Sequence, residues 1–327
     1  MTTKLAFSKD IIKLNSVEQT TIEIAEKLRN DVIHVLKRRG AVVGISGGID
    51  SSVTLALAVQ ALGSDKVIGI MMPENDSSPD SKMLALELAS RFNVKTIEEN
   101  LTDALAGFRC YSRRDEAVKS VVSDFNPGKD KFKIEIKQNI SNMKLPPIFY
   151  VTVYFANGAV ESKMLPIRAY LQIVAASNFK QRSRMSMLYY YAEANHYAVI
   201  GTPNKHEVQQ GFFVKYGDGG ADVMPIGHLY KTQVYELARY LGVPEEIIKR
   251  TPTTDTYPAE QTQEDFFFQL PFETLDLMWY AWENKYPIQE VASVMGYSPN
   301  VVADIFANFK RKSKTTEYLR MQPIGYV

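Results

Sequence analysis

Between the apolar run Ala41-Val42-Val43 and the small-residue run Val53 to Ala58, the chain reads Gly44-Ile45-Ser46-Gly47-Gly48-Ile49-Asp50-Ser51-Ser52. A strand, a glycine turn and a helix start follow one another without a spacer. Such a turn directs free backbone N–H groups and the positive end of a helix dipole at one point, which suits an anion. The expected anion is a phosphate chain. The spacing is neither Gly-x-x-x-x-Gly-Lys-Ser/Thr nor Gly-x-Gly-x-x-Gly, and Asp50 stands where a lysine might be expected. A carboxylate beside phosphates makes physical sense when a divalent cation lies between them, so Mg²⁺ is expected with the nucleotide. The bland alternative is an ordinary Gly-rich turn from strand to helix.

Polar density returns at Gly201-Thr202-Pro203-Asn204-Lys205-His206-Glu207, which leads into Gly211-Phe212-Phe213-Val214-Lys215-Tyr216-Gly217-Asp218-Gly219-Gly220-Ala221-Asp222. Pro225-Ile226-Gly227-His228-Leu229-Tyr230-Lys231-Thr232-Gln233 and Thr251-Pro252-Thr253-Thr254-Asp255 follow. The Ser-Gly-Gly-x-Asp-Ser pattern resembles the pyrophosphate loop of the N-type ATP pyrophosphatases, which cleave ATP between the α and β phosphates and transfer AMP. With the later motifs in order, the chain resembles the ammonia-dependent NAD synthetases over roughly residues 17–108 and 177–260.

That resemblance implies a Rossmann-like, doubly wound parallel α/β sheet in a single NAD synthase-like domain spanning 1–327, and a homodimer. It assigns ATP to Gly44, Ile45, Ser46, Gly47, Gly48, Ile49, Asp50 and Ser51, with Thr202, Lys231 and Thr253. Asp50 and Glu207 would hold Mg²⁺, Asp50 and Lys231 would be catalytic, and Arg182, Lys215 and Asp222 would bind nicotinic acid adenine dinucleotide (deamido-NAD). The implied reaction is an amidation in two steps. The nicotinate carboxylate attacks the α-phosphorus of ATP and releases pyrophosphate; ammonia then displaces AMP. Positioning and charge neutralisation suffice for both steps.

The chain departs from the family at an insertion of about 129–166, in the aromatic run Phe266-Phe267-Phe268, and near its end. There Thr316-Glu317-Tyr318-Leu319-Arg320 replaces the family's Thr-x-His-Lys-Arg, so a pair expected to hold the acceptor has lost its charge. An amide ligase of the same fold acting on another carboxylic acid is therefore a second reading. Each assigned residue also has a plain rival: Glu207 as a solvated helix residue, Arg182 as part of a charged face, Lys215 and Asp222 as turn residues. His206 and His228 read as structural, since no acid–base partner spacing is visible.

Several elements must position these groups. Ser16-Val17-Glu18-Gln19 reads as a capping box opening a helix that runs to Arg39, Val67 to Met72 and Tyr197 to Thr202 read as further buried strands, and Val94 to Ile97 as a short strand. Alternating strand and helix predicts a parallel sheet whose ligands lie at the strands' carboxyl ends. The insertion reads as a β-hairpin with room for a third strand, Phe149, Val151, Val153 and Phe155 inward and Tyr150, Thr152 and Tyr154 outward. A helical part of about 266–327 closes the chain. Within it, Pro287 to Ser298 and Val301 to Phe309 resemble a helix-turn-helix followed by Lys310-Arg311-Lys312. DNA binding is a reading from a different class, and simple packing of two helices is its rival.

Composition adds bounds. The 327 residues, 45% hydrophobic, support a substantial core, and a net charge of +1 gives no global pull toward nucleic acid or acidic membranes. A single cysteine, Cys110, forms no internal disulfide and sits in no nucleophile setting. No apolar run approaches a membrane span and Met1 to Asn15 lacks a secretory core, so a cytoplasmic protein is expected. No glutaminase domain is expected, leaving free ammonia or a separate glutaminase as the nitrogen source.

Overall fold

In the computed structural model, residues 5–137, 145–254 and 256–326 are described. The 138–144 part of the insertion and Asp255 of the Thr251–Asp255 motif lie outside them. Ser16 caps the first helix, α1 (Val17–Asn30), its hydroxyl accepting from the Gln19 N–H at 3.1 Å. The helix stops nine residues short of Arg39: a wider π turn over 31–35 and a positive φ of 55° at Lys37 carry the chain into the first strand.

The apolar runs form β1 (Ala41–Gly44), β2 (Val67–Met71) and β3 (Lys95–Glu98), joined by α2 (Ile49–Leu62) and α3 (Pro79–Arg91). After α4 (Thr102–Gly107), α5 (Cys110–Lys119) and the insertion, the 29-residue α6 (Ile167–Asn195) leads to β7 (Ala198–Ile200). The sheet is parallel, in the order β3-β2-β1-β7. Side chains alternate across it: Ala41 and Val43 pack with α1 and α2, whereas Val42, Ile68 and Val199 pack with Leu188 and Ala192 of α6. The chain winds outward from β1 to β3 and then returns to β7 on the other side of β1. The loops leaving β1 and β7 therefore diverge at a topological switch point, which opens a crevice at the strands' carboxyl ends.

The insertion is the expected hairpin with its third strand, a three-stranded antiparallel sheet of β4 (Lys131–Ile136), β5 (Phe149–Tyr154) and β6 (Val160–Met164). Phe132, Ile134, Val151 and Val153 face a core shared with α5 and α6. Thr152, expected outside, is buried, because its hydroxyl donates to Glu135 on β4 and lies 3.0 Å from Ser162 on β6.

Beyond β7 come α7 (Lys205–Gln210), α8 (Lys231–Leu241) and α9 (Glu245–Lys249), then α10 (Phe272–Glu283), α11 (Ile288–Met295), α12 (Pro299–Thr315) and α13 (Glu317–Arg320). The helix-turn-helix stretch is α11 and α12, and Val291, Val302, Ile305 and Phe309 pack it onto Trp279 and Met278 of α10. Phe7 and Ile12 join the same core. No helix among the described residues is long and apolar enough to cross a membrane.

Two predictions concern this framework. Gly47 has φ +71°, and a Cβ there would lie 2.8 Å from the Ser81 carbonyl oxygen and 2.9 Å from Leu84 Cβ. Gly47→Ala should cost about 1–3 kcal/mol in urea unfolding. On α12, burial and neighbouring Arg311 push the Lys312 ammonium down to about 7 from 10.5. Between those values the folded chain binds fewer protons there than the unfolded chain, so this group's contribution to stability rises with pH. The thermal midpoint of Lys312→Met should lose that rise when both proteins are compared from pH 7 to 10.

Candidate functional site

The turn after β1 leaves the sheet with Gly48 extended at the N-cap of α2 and without a side-chain cap on the helix's first amides. Those N–H groups stay available to an anion. Ser51 steadies the turn: its hydroxyl donates to the Gly48 carbonyl at 2.9 Å and lies 3.4 Å from the Ser46 hydroxyl. Gly47 faces α3, where its missing Cβ permits close contact with Ser81 and Leu84.

Asp50, in the first turn of α2, is met from two directions. Lys231, the first residue of α8, pairs with its Oδ2, and Asn204 Nδ2 donates to its Oδ1 at 3.2 Å. Lys231 is fully buried. Burial favours the neutral amine, but the carboxylates of Asp50 and Glu207 outweigh it and raise the lysine's pKa. Asn204 also caps α7, accepting from the His206 and Glu207 N–H groups, while Glu207 Oε2 accepts from the Asn204 N–H at 2.9 Å. This capping box fixes Glu207 beside Asp50 and leaves its other oxygen uncommitted to that bond. Glu207 lines the crevice; burial, then Asp50's like charge, push its carboxyl up to about 8. The pair is short of positive charge. Among the described residues no third His, Cys, Asp or Glu completes a cluster that could hold a metal, so a cation here would need oxygens from a ligand.

Asp50, Glu207 and the turn after β1 border a cavity of about 770 Å³. Of the residues expected from sequence, Gly44, Ile45, Ser46, Gly48, Ile49, Asp50, Ser51, Thr202, Glu207, Thr253, Arg182 and Lys215 line it. Lys231 lies behind Asp50, outside the lining, and Gly47 is turned away. Asp222 is also outside the lining: its carboxylate accepts from the Val199 N–H at 2.8 Å and the Tyr189 hydroxyl at 3.0 Å, extending the edge of β7. Lys215 borders the cavity, yet its ammonium donates to the carbonyls of Tyr318 at 2.9 Å and Met321 at 2.7 Å. Arg182 Nε donates to the Lys215 carbonyl at 3.2 Å. Tyr318 and Leu319, the altered pair, do reach the cavity.

Sequence reading missed a buried charged wall on α6. Lys180, 1% exposed, binds Glu74 at 3.1 Å and pairs with Asp76. Arg114 also pairs with Asp76 and holds Asp115 at 2.8 Å, and the Tyr111 hydroxyl donates to Glu74 at 2.8 Å. A signal existed. Lys180 shares one helical face with the buried Ile173, Ala176 and Ser177, and a lysine on an apolar stripe demands buried partners. The structural reading of His206 holds: it is buried, 2.5 Å from Asp276, and ringed by Tyr230, Phe268 and Trp279.

The geometry has counterparts. A NAD synthase family model matches residues 21–144 and 153–323, passing over part of the inserted sheet. An NH(3)-dependent NAD(+) synthetase of Mesorhizobium japonicum is 46% identical over 301 residues, covering 92% of this chain and 94% of the relative. In fold, the chain is similar to an NMN synthetase of Francisella tularensis, with TM-score 0.64 at 23% identity over 95% of this chain and 98% of that one. It is likewise similar to an NH3-dependent NAD synthetase of Campylobacter jejuni, with TM-score 0.62 at 22% identity over 96% and 100%. Phosphate-type loop, paired carboxylates and matched sequence agree, and the chain belongs to the NAD synthase family.

Proposed function

We propose that the chain catalyses ATP-dependent amidation of deamido-NAD to NAD with ammonia, releasing AMP and pyrophosphate. The observation that carries this reading is the convergence of the uncapped α2 N-terminus, Asp50 and Glu207 at one cavity, with Lys231 paired to Asp50 from behind, in a member of this family. No comparably supported observation favours a different acid or DNA.

The glycine loop's amides, with Ser46 and Ser51, would receive the β and γ phosphates and hold the departing pyrophosphate, while Thr202 and Thr253 offer hydroxyls to the rest of ATP. Asp50 and Glu207 fit a divalent cation: two hard oxygen donors, one of them destabilised as an anion for want of charge, with phosphate oxygens and water to fill the remaining positions. Bound there, Mg²⁺ supplies charge neutralisation between the ATP phosphates and the carboxylates. Lys231 compensates Asp50 from behind and brings positive charge toward the phosphates as Asp50 is engaged. Arg182, Lys215 and Asp222 are proposed for the acceptor, Asp222 through the β7 edge and Lys215 partly through the turn that presents Tyr318. Bringing the nicotinate carboxylate to the α-phosphorus in a shielded crevice then provides most of the acceleration.

A homodimer is proposed from the family resemblance; Met164 at the end of β6 and Ile167 and Leu171 on α6 are exposed apolar side chains open to a second copy. Free ammonia, or a separate glutaminase, supplies nitrogen, in keeping with a cytoplasmic enzyme.

Incubation with ATP, Mg²⁺, ammonium and deamido-NAD should yield NAD, AMP and pyrophosphate in equal amounts; AMP without NAD would reject the acceptor. Asp50→Asn and Glu207→Gln should each lower pyrophosphate release at least a hundredfold, since each removes an anionic oxygen that would hold the divalent cation against the phosphates. Wild-type rates in both would sink the metal assignment.

A further inference from the structure

The inserted sheet reaches the cavity indirectly, through one segment of chain. Its edge strand β4 is capped by residues 259–261: the Ala259 N–H donates to the Phe132 carbonyl at 3.1 Å, and Gln261 Nε2 donates to the Ile134 carbonyl at 2.9 Å. The same Gln261, 4% exposed, accepts through its own carbonyl from the Thr254 N–H at 2.8 Å, and the Gln263 N–H reaches the Pro252 carbonyl at 3.0 Å. Thr253 and Thr262 thereby form an antiparallel bridge, and Thr253, Thr254 and Gln263 line the cavity. A continuous chain of hydrogen bonds thus runs from the sheet edge through Gln261 to the cavity wall.

Phe132 ties this wall to the opposite one. Its ring lies 5.7 Å from Tyr257, which touches Phe266 at 5.7 Å, and 5.4 Å from the Arg114 guanidinium. Arg114 pairs with Asp76, and Asp76 with Lys180 on α6. One core holds the sheet, Ala169 and Ile173 of α6, and Tyr257 together.

We infer that the inserted sheet is the positioning element of the nucleotide wall, with Gln261 as the positioning residue that holds Thr253 and Thr254 in place before ATP arrives. The inference rests on the reading that this wall receives ATP. A preformed wall spares ATP the cost of ordering the segment. Gln261→Met keeps the length and loses the donor; Ala259→Pro independently removes the other bond.

The experiment compares both variants with the wild-type chain by steady-state kinetics and by limited proteolysis with and without ATP. Each variant should raise the KM for ATP about five- to tenfold, as expected for one lost buried hydrogen bond, with the KM for deamido-NAD changed less than twofold. The segment 256–263 should become cleavable without ATP and be protected at saturating ATP. An unchanged KM for ATP with unchanged cleavage overturns the inference, as does an equal rise in both KM values, the mark of general loosening. If the wild-type chain makes no NAD, the functional reading fails, while the cleavage contrast with ATP alone still decides the role of Gln261.

Discussion

A lysine buried in the first turn of a helix sits at the positive end of that helix's dipole and needs an anion beside it. Here α2 and α8 meet, and Asp50 is the anion, lying in the first turn of one and bound to Lys231 in the first turn of the other. Lys231 has no access to water, so leaving it unpaired would carry the cost of a buried charge. The remaining arrangement follows: Asn204 must sit where it reaches Asp50, its capping box must place Glu207 alongside, and the sheet must reverse its winding between β1 and β7 to let these segments converge.

How much of this was legible in the chain depends on how local the determining physics is. The glycine turn declared itself because each step of its geometry is encoded within residues 41–52: an apolar strand, glycines, then a helix start. The alternation of strand and helix likewise announced a parallel sheet. What stayed hidden was pairing across long separations. Asp50 was read as a metal ligand without its lysine, 181 residues away, and Lys231 was expected at the phosphates rather than behind the carboxylate. Asp222 was assigned to the acceptor by resemblance alone, and nothing in the sequence signalled that its oxygens accept from the Val199 N–H of β7 and the Tyr189 hydroxyl of α6. Thr152 broke the alternation rule because a polar partner on each neighbouring strand makes burial of a hydroxyl affordable.

The two walls of the cavity differ in kind. The wall on α6 is stiffened by buried charges whose partners are fixed in direction as well as distance, so it resists small displacements. The wall over 251–267 consists of short backbone contacts and aromatic rings, Phe212 stacked on Phe267 at 4.7 Å among them. Gln261 and Ala259 tie this wall to the inserted sheet, so one side of the cavity is fixed by buried charge and the other by hydrogen bonds to β4.

The close approach of Gly211 to Thr316 has a further consequence. A Cβ on Gly211 would lie 2.3 Å from Thr316, and the Thr316 hydroxyl donates to the Gln210 carbonyl at 3.1 Å, so the end of α12 is seated directly on the loop that borders the cavity. At the other extreme, the Phe7 N–H donates to Glu290 at 2.7 Å, 283 residues downstream. During synthesis the nucleotide loop near residue 45 emerges early, yet the surfaces that complete its surroundings emerge last. A ribosome-bound chain that already presents the glycine turn still lacks the far side of its cavity, and the earliest residues made are among the last to find their neighbours.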